Sequence, residues 1–221
     1  MNVNLLNIKN NININIVSKE KISYLEENKK IYIVQKFFID TLVSILLLVA
    51  TSPFWLYSIY RIKKESPGPI FFKQSRVGEN GKSFMCYKFR SMHVNSAFNP
   101  YTQDQDVRIF PYGSFMRKYR IDELPQILNI LKQDMHLVGP RAEWDILVDQ
   151  YELKINNYQK RHIIKPGITG LAQVCYPYGR NTRDAHNKLK YDLFYIRNWS
   201  FFLELKVILK TVMVVIGKKG V

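Results

Sequence analysis

The longest apolar segment of the chain is residues 41–60, TLVSILLLVATSPFWLYSIY, which carries no charged side chain. Twenty residues of α-helix extend about 30 Å, roughly the thickness of the hydrocarbon core of a bilayer. Pro53 lies mid-segment, where it removes a backbone hydrogen bond and kinks or breaks a helix. The hydroxyl of Ser52 can bond one of the carbonyls that Pro53 leaves unpaired. The pattern therefore predicts a helix with a break at Ser52-Pro53.

Both flanks of this segment are basic, with Lys29, Lys30 and Lys36 before it and Arg61, Lys63 and Lys64 after it. Lys/Arg asymmetry sets the orientation of a spanning helix, and here the two sides are alike. We therefore expect a re-entrant membrane helix over 31–64 that enters, bends and returns to the same face. A complete span and a buried helix of a soluble domain are the alternatives. Residues 1–30 are expected to be a polar leader without secretory-signal features.

From residue 65 the pattern changes to shorter runs that predict a mostly helical α+β domain over 65–221. Apolar residues at 70–72 and 84–89 flank turn-forming residues at 78–82, which predicts a small β-hairpin. A helix is expected over 122–135, with Asp122 at its N-cap or first turn. A second helix is expected at about 143–160, and one or two more between 189 and 216.

The last of these segments is amphipathic, with an apolar stripe and only Lys206 and Lys210 as a narrow polar edge. Such a helix lies either in a core or in the interface of a bilayer, and we favour the interface. The expected fold thus combines the broken membrane helix, the hairpin and several amphipathic helices at the membrane interface.

Charge indicates the kind of partner. The 221 residues include 33 Lys and Arg against 18 Asp and Glu, a net charge of +15. Eight basic and two acidic residues between 61 and 90 give that stretch +6, directly after the apolar segment. This favours a polyanionic partner: anionic lipid, a phosphorylated substrate or nucleic acid. Cys86 and Cys175 are isolated, as in a reduced, cytoplasmic-facing domain.

In so basic a chain the adjacent acids Asp122 and Glu123 invite a chemical interpretation, because Arg117, Arg120 and Arg141 lie close in sequence. A helix N-terminus favours an ionised carboxylate, which can accept a phosphoryl group or ligate Mg²⁺. Arginine forks bind phosphate oxygens bidentately. An N-cap that complements the helix dipole is the alternative explanation for the pair.

Five stretches in order resemble the bacterial sugar transferase family, the monotopic polyprenyl-phosphate phosphoglycosyl transferases. The resemblance covers roughly residues 36–212. The stretches are Ser52-Pro53, ESPGPIFFKQSRVGENGKSFMCYKFRSM (65–92), RKYRIDELPQILNILKQDMHLVGPR (117–141), KPGITGLAQV (165–174) and YDLFYIRNWS (191–200).

The resemblance implies transfer of a sugar-1-phosphate from a nucleotide sugar, commonly a UDP-sugar, to a polyprenyl phosphate, with release of UMP. It implies a covalent phosphosugar-enzyme intermediate, Mg²⁺ as cofactor, membrane lipids as partners and the start of glycoconjugate assembly. It places the protein at the bacterial inner membrane with its catalytic domain on the cytoplasmic face. The chain looks like the family's minimal catalytic unit, and a homodimer is left open.

The resemblance also assigns roles to residues. Asp122 would be the nucleophile and a Mg²⁺ ligand, and Glu123 its partner in metal binding or proton handling. Arg117 and Arg141 would bind phosphate, with Lys88 and Arg90 as weaker candidates. Arg180 is a candidate substrate contact in a stretch longer than the family's usual one. Other departures are Ala142, where proline is usual, and Leu171, where tryptophan is common. The alternative functions are a non-catalytic membrane adaptor of the same fold and a nucleic-acid binder, the latter disfavoured by segment 41–60.

Overall fold

A computed structural model describes residues 30–94, 96, 106–176 and 181–217 of the protein. The described part is mostly helical with two small sheets, so the predicted α+β class is confirmed. The polar leader 1–29 and Arg180 lie outside the described residues.

The first helix, α1, is Lys30–Glu65, and it contains Pro53 without interruption. Within Ile33–Glu65 it is long and apolar enough to cross a membrane, and only 17% of its apolar window is buried against the rest of the protein. A buried helix of a soluble core is therefore wrong. The re-entrant path stays a prediction, because the described helix runs on through Ser52-Pro53.

The predicted hairpin is confirmed. Strands β1 (Phe71–Val77) and β2 (Ser83–Phe89) pair antiparallel, with Phe71 opposite Phe89 and Val77 opposite Ser83. A short 3₁₀ turn, Glu79–Gly81, joins them. Phe71 and Phe89 stack with ring centroids 5.6 Å apart, and Trp55 of α1 contacts Phe89 edge-on at 5.2 Å. The hairpin is thereby fixed against the C-terminal half of α1.

The remaining elements alternate short helices and turns. Helix α2 is Pro111–Lys118, a 3₁₀ turn is Ile121–Glu123, and α3 is Gln126–Leu131. Strand β3 (His136–Val138) pairs in parallel with β4 (Gly167–Thr169). Between them lie α4 (Asp145–Lys154) and a 3₁₀ turn, Tyr158–Ile163. The chain then forms α5 (Leu171–Cys175), α6 (Thr182–Arg197) and α7 (Phe201–Ile216).

The main apolar core collects residues of β3, α4, α6 and α7, and a smaller cluster forms where α2 and β2 meet the end of α1. A buried polar network joins the start of α1 to this core. Lys36 Nζ lies 2.8 Å from Glu204 Oε1 and 3.1 Å from Asp40 Oδ2, and His136 Nδ1 lies 2.8 Å from the same Asp40 oxygen. The apolar helix is thus attached to the domain at both ends.

Large apolar side chains are exposed along two helices. Those of α1 include Phe38, Leu42, Leu46 and Val49, and those of α7 include Phe202, Leu209, Val212 and Met213. On α7 the buried residues Leu203 and Val207 occupy the opposite side from this exposed set. The exposed apolar face of α7 supports the preference for an interfacial rather than a core helix.

Candidate active site

Helix α2 packs closely against the segment that follows β2, and this contact places Arg117 beside Ser91. A Cβ added at Gly113 would lie 2.2 Å from the carbonyl oxygen of Ser91, so only glycine allows this approach. One turn later, Arg117 Nε donates to Ser91 Oγ at 2.9 Å. Close packing at Gly113 therefore positions the Arg117 side chain.

The acidic pair lies in a 3₁₀ turn and not at the start of a long helix. Arg120 adopts left-handed backbone angles (φ 56°) after α2, and Ile121–Glu123 then form the turn. Pro125 has no backbone N–H and lies directly before α3, which begins at Gln126. The predicted helix over 122–135 is thus wrong at both ends, since α3 ends at Leu131. Asp122 and Glu123 are both buried, with 8% and 7% of their surface exposed.

Glu123 collects the cations of the site. Its Oε1 accepts from Lys88 Nζ at 2.8 Å and from Arg141 Nη2 at 3.0 Å, while Oε2 accepts from Arg120 Nη1 at 3.4 Å. Burial alone would raise the pKa of Glu123, but the Lys88, Arg141 and Arg120 charges hold it well below its usual value. Glu123 is therefore an ionised anchor for three basic side chains from three different elements.

Asp122 is in the opposite situation. In the part of the chain that the structure describes, no group hydrogen-bonds to its carboxylate. Burial raises the pKa of Asp122 to about 6, with the Glu123 charge acting in the same direction against Lys88 and Arg117. Its oxygens are consequently available to a ligand or a reacting atom, and the carboxylate is mostly ionised at pH 7.

Arg141 reaches the pair from a loop held by close backbone contacts. Gly139 N donates to Thr169 O at 2.9 Å, and Gly167 N donates to Pro140 O at 2.8 Å. A Cβ added at Gly167 would lie 2.0 Å from Gly139 N. The glycines of the segments 139–141 and 165–170 therefore let the two loops touch, which directs Arg141 toward Glu123.

The structure brings together most of the side chains that the sequence selected: Asp122, Glu123, Lys88, Arg117 and Arg141. Arg90 differs, because its guanidinium is engaged by the turn before β1. It donates to Pro69 O at 2.5 Å and to Met92 O at 3.3 Å, and it also contacts Ser66. Arg90 thus shapes the loop around 66–70, and its predicted phosphate contact gains no support here.

The sequence did not predict the buried charged residues that contact the backbone of Arg141. The buried Arg161 pairs with Asp192 and also bonds the Arg141 carbonyl oxygen. Glu143 lies among these charges, where Arg161, Arg141 and Arg76 lower its pKa against the raising effect of burial. A buried arginine and aspartate 31 positions apart give no local pattern, so only the fold reveals them.

The acidic pair also bears on the predicted metal. Among the described residues no group of three His, Cys, Asp or Glu side chains is placed to hold an ion. The unpartnered oxygens of Asp122 fit a hard cation, whereas those of Glu123 are engaged by lysine and arginine. Mg²⁺ commonly uses one or two carboxylates and completes its shell with water and substrate phosphates.

An exposed apolar helix joined to an α+β domain, with a buried acidic pair among basic side chains, suits a protein that handles anionic ligands beside a membrane. Comparison with known proteins identifies the class. The family model described as bacterial sugar transferase matches residues 31–218, and the chain belongs to that family.

Individual relatives agree with this membership. The chain is 40% identical over 214 residues to a UDP-N-acetylgalactosamine-undecaprenyl-phosphate N-acetylgalactosaminephosphotransferase of Aeromonas hydrophila, covering 93% of this chain and 51% of the relative. It is 40% identical over 193 residues to a UDP-glucose:undecaprenyl-phosphate glucose-1-phosphate transferase of Xanthomonas campestris pv. campestris, covering 85% and 40%.

A third relative is an uncharacterized sugar transferase of Bacillus subtilis (strain 168), 41% identical over 182 residues that cover 82% of this chain and 87% of the relative. The chain thus spans about half or less of the length of the first two relatives, and most of the third.

Proposed function

We propose that the protein transfers a sugar-1-phosphate from a UDP-sugar to a polyprenyl phosphate and releases UMP, with Asp122 as the nucleophile. The observation that carries this proposal is the contrast within the acidic pair. Glu123 is saturated with cations, while the buried Asp122 carboxylate next to it has no hydrogen-bond partner in the described structure. A nucleophile needs an accessible lone pair, and of the two acids Asp122 is the one whose carboxylate accepts no hydrogen bond from the described residues.

In the first step an Asp122 carboxylate oxygen attacks the β-phosphorus of the UDP-sugar. A bond forms between that oxygen and phosphorus, and the bond from phosphorus to the oxygen bridging the two phosphates breaks. UMP leaves with the bonding electron pair, and an aspartyl phosphosugar remains. The bond between the sugar carbon and its oxygen is untouched.

In the second step a phosphate oxygen of the polyprenyl phosphate attacks the same phosphorus. The bond to Asp122 breaks, the carboxylate is regenerated, and the product is a polyprenyl diphosphate sugar. An ionised acceptor phosphate supplies the electron pair, so this step needs no external acid or base. The Asp122 carboxylate thus takes part in both displacements, as the nucleophile in the first and as the leaving group in the second.

The basic side chains supply binding and charge stabilisation. Lys88, Arg141 and Arg120 already surround Glu123, and Arg117 lies beside Asp122 close enough to lower its pKa. Preorganised cations stabilise charge that develops on a transferring phosphoryl group. Glu123 keeps the first three in place in the free protein and balances part of their charge.

Mg²⁺ belongs to this proposal as a predicted cofactor. Asp122, with Glu123 beside it, would hold the ion together with the phosphates of the donor. When bound, Mg²⁺ would neutralise charge on the diphosphate and ease departure of UMP.

We also propose that the protein works at the bacterial inner membrane, with the domain on the cytoplasmic face. The exposed apolar side chains of α1 and α7 support membrane contact, and the +6 stretch over 61–90 supports contact with anionic headgroups. A polyprenyl acceptor resides in the bilayer, so its phosphate would lie at this surface.

The function is tested by UMP release and lipid labelling with purified membranes, Mg²⁺ and a panel of UDP-sugars. We expect one or a few donors to give UMP and a labelled lipid in equal amounts. An Asp122→Asn variant should lose at least a thousandfold in rate, while the exposed Asp149→Asn variant serves as the matched control. Absence of transfer from every donor would contradict the proposal and favour the adaptor alternative.

A further inference from the structure

Arg161 is a buried residue with several polar contacts. The proposed chemistry does not use it. Its side chain is buried, its Nε donates to Asp192 Oδ2 at 2.9 Å, and its Nη2 lies 2.8 Å from the same oxygen as an ion pair. Nη1 lies 3.3 Å from the Tyr158 hydroxyl, and the guanidinium lies over the Tyr158 ring at 5.2 Å. Asp192 is 1% exposed and lies in the middle of α6. The guanidinium is therefore held between Asp192 of α6 and the side chain of Tyr158.

The remaining contact of Arg161 leads to the candidate active site. Nη2 also donates to the main-chain carbonyl oxygen of Arg141 at 2.9 Å. The Arg141 side chain in turn donates to Glu123 Oε1 at 3.0 Å. Asp192, Arg161, Arg141 and Glu123 thus form one continuous chain of charge-assisted contacts between α6 and the acidic pair.

The loop around Arg141 shows why this contact matters. Gly139 is tied by its N–H to Thr169, and Pro140 by its carbonyl to Gly167, both main-chain bonds. One residue further, the carbonyl oxygen of Arg141 accepts a hydrogen bond from the Arg161 side chain. Arg141 is also the residue whose own guanidinium reaches Glu123. Arg141 itself pairs with Gly167 in an isolated parallel bridge, so the backbone places this peptide and the Arg161 contact adds a side-chain bond that fixes its carbonyl.

Stability alone is a weak reason for this pair. Burying two charges costs desolvation that their attraction repays only in part, and apolar replacements of buried ion pairs are often as stable. Burial raises the pKa of Asp192 even with Arg161 beside it, so the cost is present here. A directional role fits a three-point contact better than a stabilising one.

We propose that Arg161 and Asp192 are positioning residues that hold Arg141 in the orientation in which it meets the phosphates of the nucleotide sugar. This inference rests on the proposed function and adds to it a second layer of residues that sets donor affinity. Neither side chain touches the substrate, and both act through the backbone of Arg141.

The test is a double-mutant cycle on kcat/KM for the nucleotide sugar, with the full-length protein in membranes. Arg161→Lys keeps the charge and loses the fork that reaches both Asp192 and the Arg141 carbonyl. We expect it to lower kcat/KM about tenfold to a hundredfold, mainly through KM, because a charged hydrogen bond is misplaced.

The second arm introduces Arg141→Lys, whose flexible stem reaches phosphate from a range of backbone positions. In that background Arg161→Lys should change kcat/KM by no more than about threefold. A merely structural role predicts the same factor in both backgrounds, and that result would overturn the proposal. So would an Arg161→Lys variant with unchanged kcat/KM in the native background.

Controls separate the outcomes. Trp199→Phe removes the indole N–H bond to Glu204, 2.7 Å long, in the other buried network, and should lower the Tm with kcat/KM unchanged. If Arg161→Lys does not fold, Asp192→Asn replaces it in the cycle with the same criteria. Failure of both to fold would show that the pair serves folding and would overturn the proposal. An inactive wild-type protein would instead count against the proposed function.

Discussion

Asp122 and Glu123 are neighbours in sequence with nearly equal burial and opposite electrostatics. Three basic side chains contact Glu123, whereas none donates a hydrogen bond to Asp122 in the described part of the chain. Their pKa values move apart for this reason, Glu123 downward and Asp122 upward to about 6. Such separation of two adjacent acids is what assigns different roles to them.

The contacts of Glu123 predict the effect of Glu123→Gln, which keeps the shape of the side chain and removes its charge. Lys88, Arg141 and Arg120 would then lose their shared acid in a buried site. We expect a loss of about 3 kcal/mol in the free energy of unfolding, because partners of a buried ion pair are left uncompensated. We also expect about a hundredfold lower UMP release, because the cations lose their positions.

Denaturation in detergent and the UMP assay measure the two effects. Glu152→Gln on the exposed side of α4 is the matched control and should change neither. A Glu123→Gln variant as stable and active as the wild type would show that Glu123 organises nothing.

Among the elements, α1 is the one whose predicted break at Ser52-Pro53 bears on the membrane topology. Pro53 cannot donate to Val49 O, and the structure gives that carbonyl a different partner, since Ser52 Oγ donates to it at 2.8 Å. Thr51 Oγ1 bonds Leu47 O in the same way at 2.6 Å. The expected compensation at Ser52 is therefore present, and it stabilises the helix locally despite the missing backbone bond.

The predicted re-entrant path depends on Ser52 and Pro53, and labelling of cysteines can test it. With Cys86 and Cys175 replaced by serine and one cysteine introduced at residue 23 or residue 82, on either side of α1, a re-entrant helix places both positions on the cytoplasmic face. A membrane-impermeant maleimide should then label neither in intact spheroplasts and both in inside-out vesicles. Ser52→Ala/Pro53→Ala restores an unbroken backbone ladder and should expose the residue 23 cysteine to labelling in spheroplasts. Labelling of that cysteine in the native background would show a complete span.

The elements also show which features a sequence can predict. The hairpin was predictable because its two strands and the turn between them are adjacent in sequence. The position of the acidic pair was predicted as a helix start, and the structure has a 3₁₀ turn there. Arg120 adopts left-handed backbone angles between α2 and the turn, and this conformation interrupts the helical backbone there.

Pairings over long distances could not be predicted. Lys36 meets Glu204, and Arg161 meets Asp192, only after several elements have packed. Each of these residues alone resembles an ordinary solvated charge. The sequence motifs selected the residues around the dyad, but the contacts that orient them depend on the tertiary fold.

For the whole molecule, buried charge is concentrated in the domain and exposed apolar surface on α1 and α7. This distribution suits a protein partly immersed in a bilayer, where the apolar helices face lipid and the charged networks face inward. One consequence concerns stability in acid, because the buried groups include a histidine. His162 is 7% exposed, and its Nε2 has no hydrogen-bond partner within the described residues.

Burial, aided by the nearby Arg161 charge, lowers the pKa of His162 to about 3. Because the unfolded value is near 6.5, the unfolded chain takes up this proton first as the pH falls. The associated stability is fully present above about pH 6.5 and is lost progressively below it. Between pH 8 and pH 5 the loss from this group is about 2 kcal/mol.

His162→Phe keeps the ring that contacts Tyr158 at 6.0 Å and removes the titrating nitrogens. Denaturation at pH 8 and pH 5 should show a smaller acid-induced loss in the variant than in the wild type. An identical pH dependence in both proteins would mean that folding leaves the pKa of His162 unchanged.

In the proposed mechanism Asp122 becomes covalently bonded to phosphorus, and trapping that species is the most direct test. A UDP-sugar labelled in its β-phosphate, mixed with protein free of polyprenyl phosphate and quenched, should leave label on the wild type and on Asp149→Asn. The adduct should be released by hydroxylamine, as expected for an acyl phosphate, and peptide mapping should place it at residue 122. Asp122→Asn should carry no label. Turnover with a labelled adduct in Asp122→Asn, or a label mapped to another residue, would contradict the account.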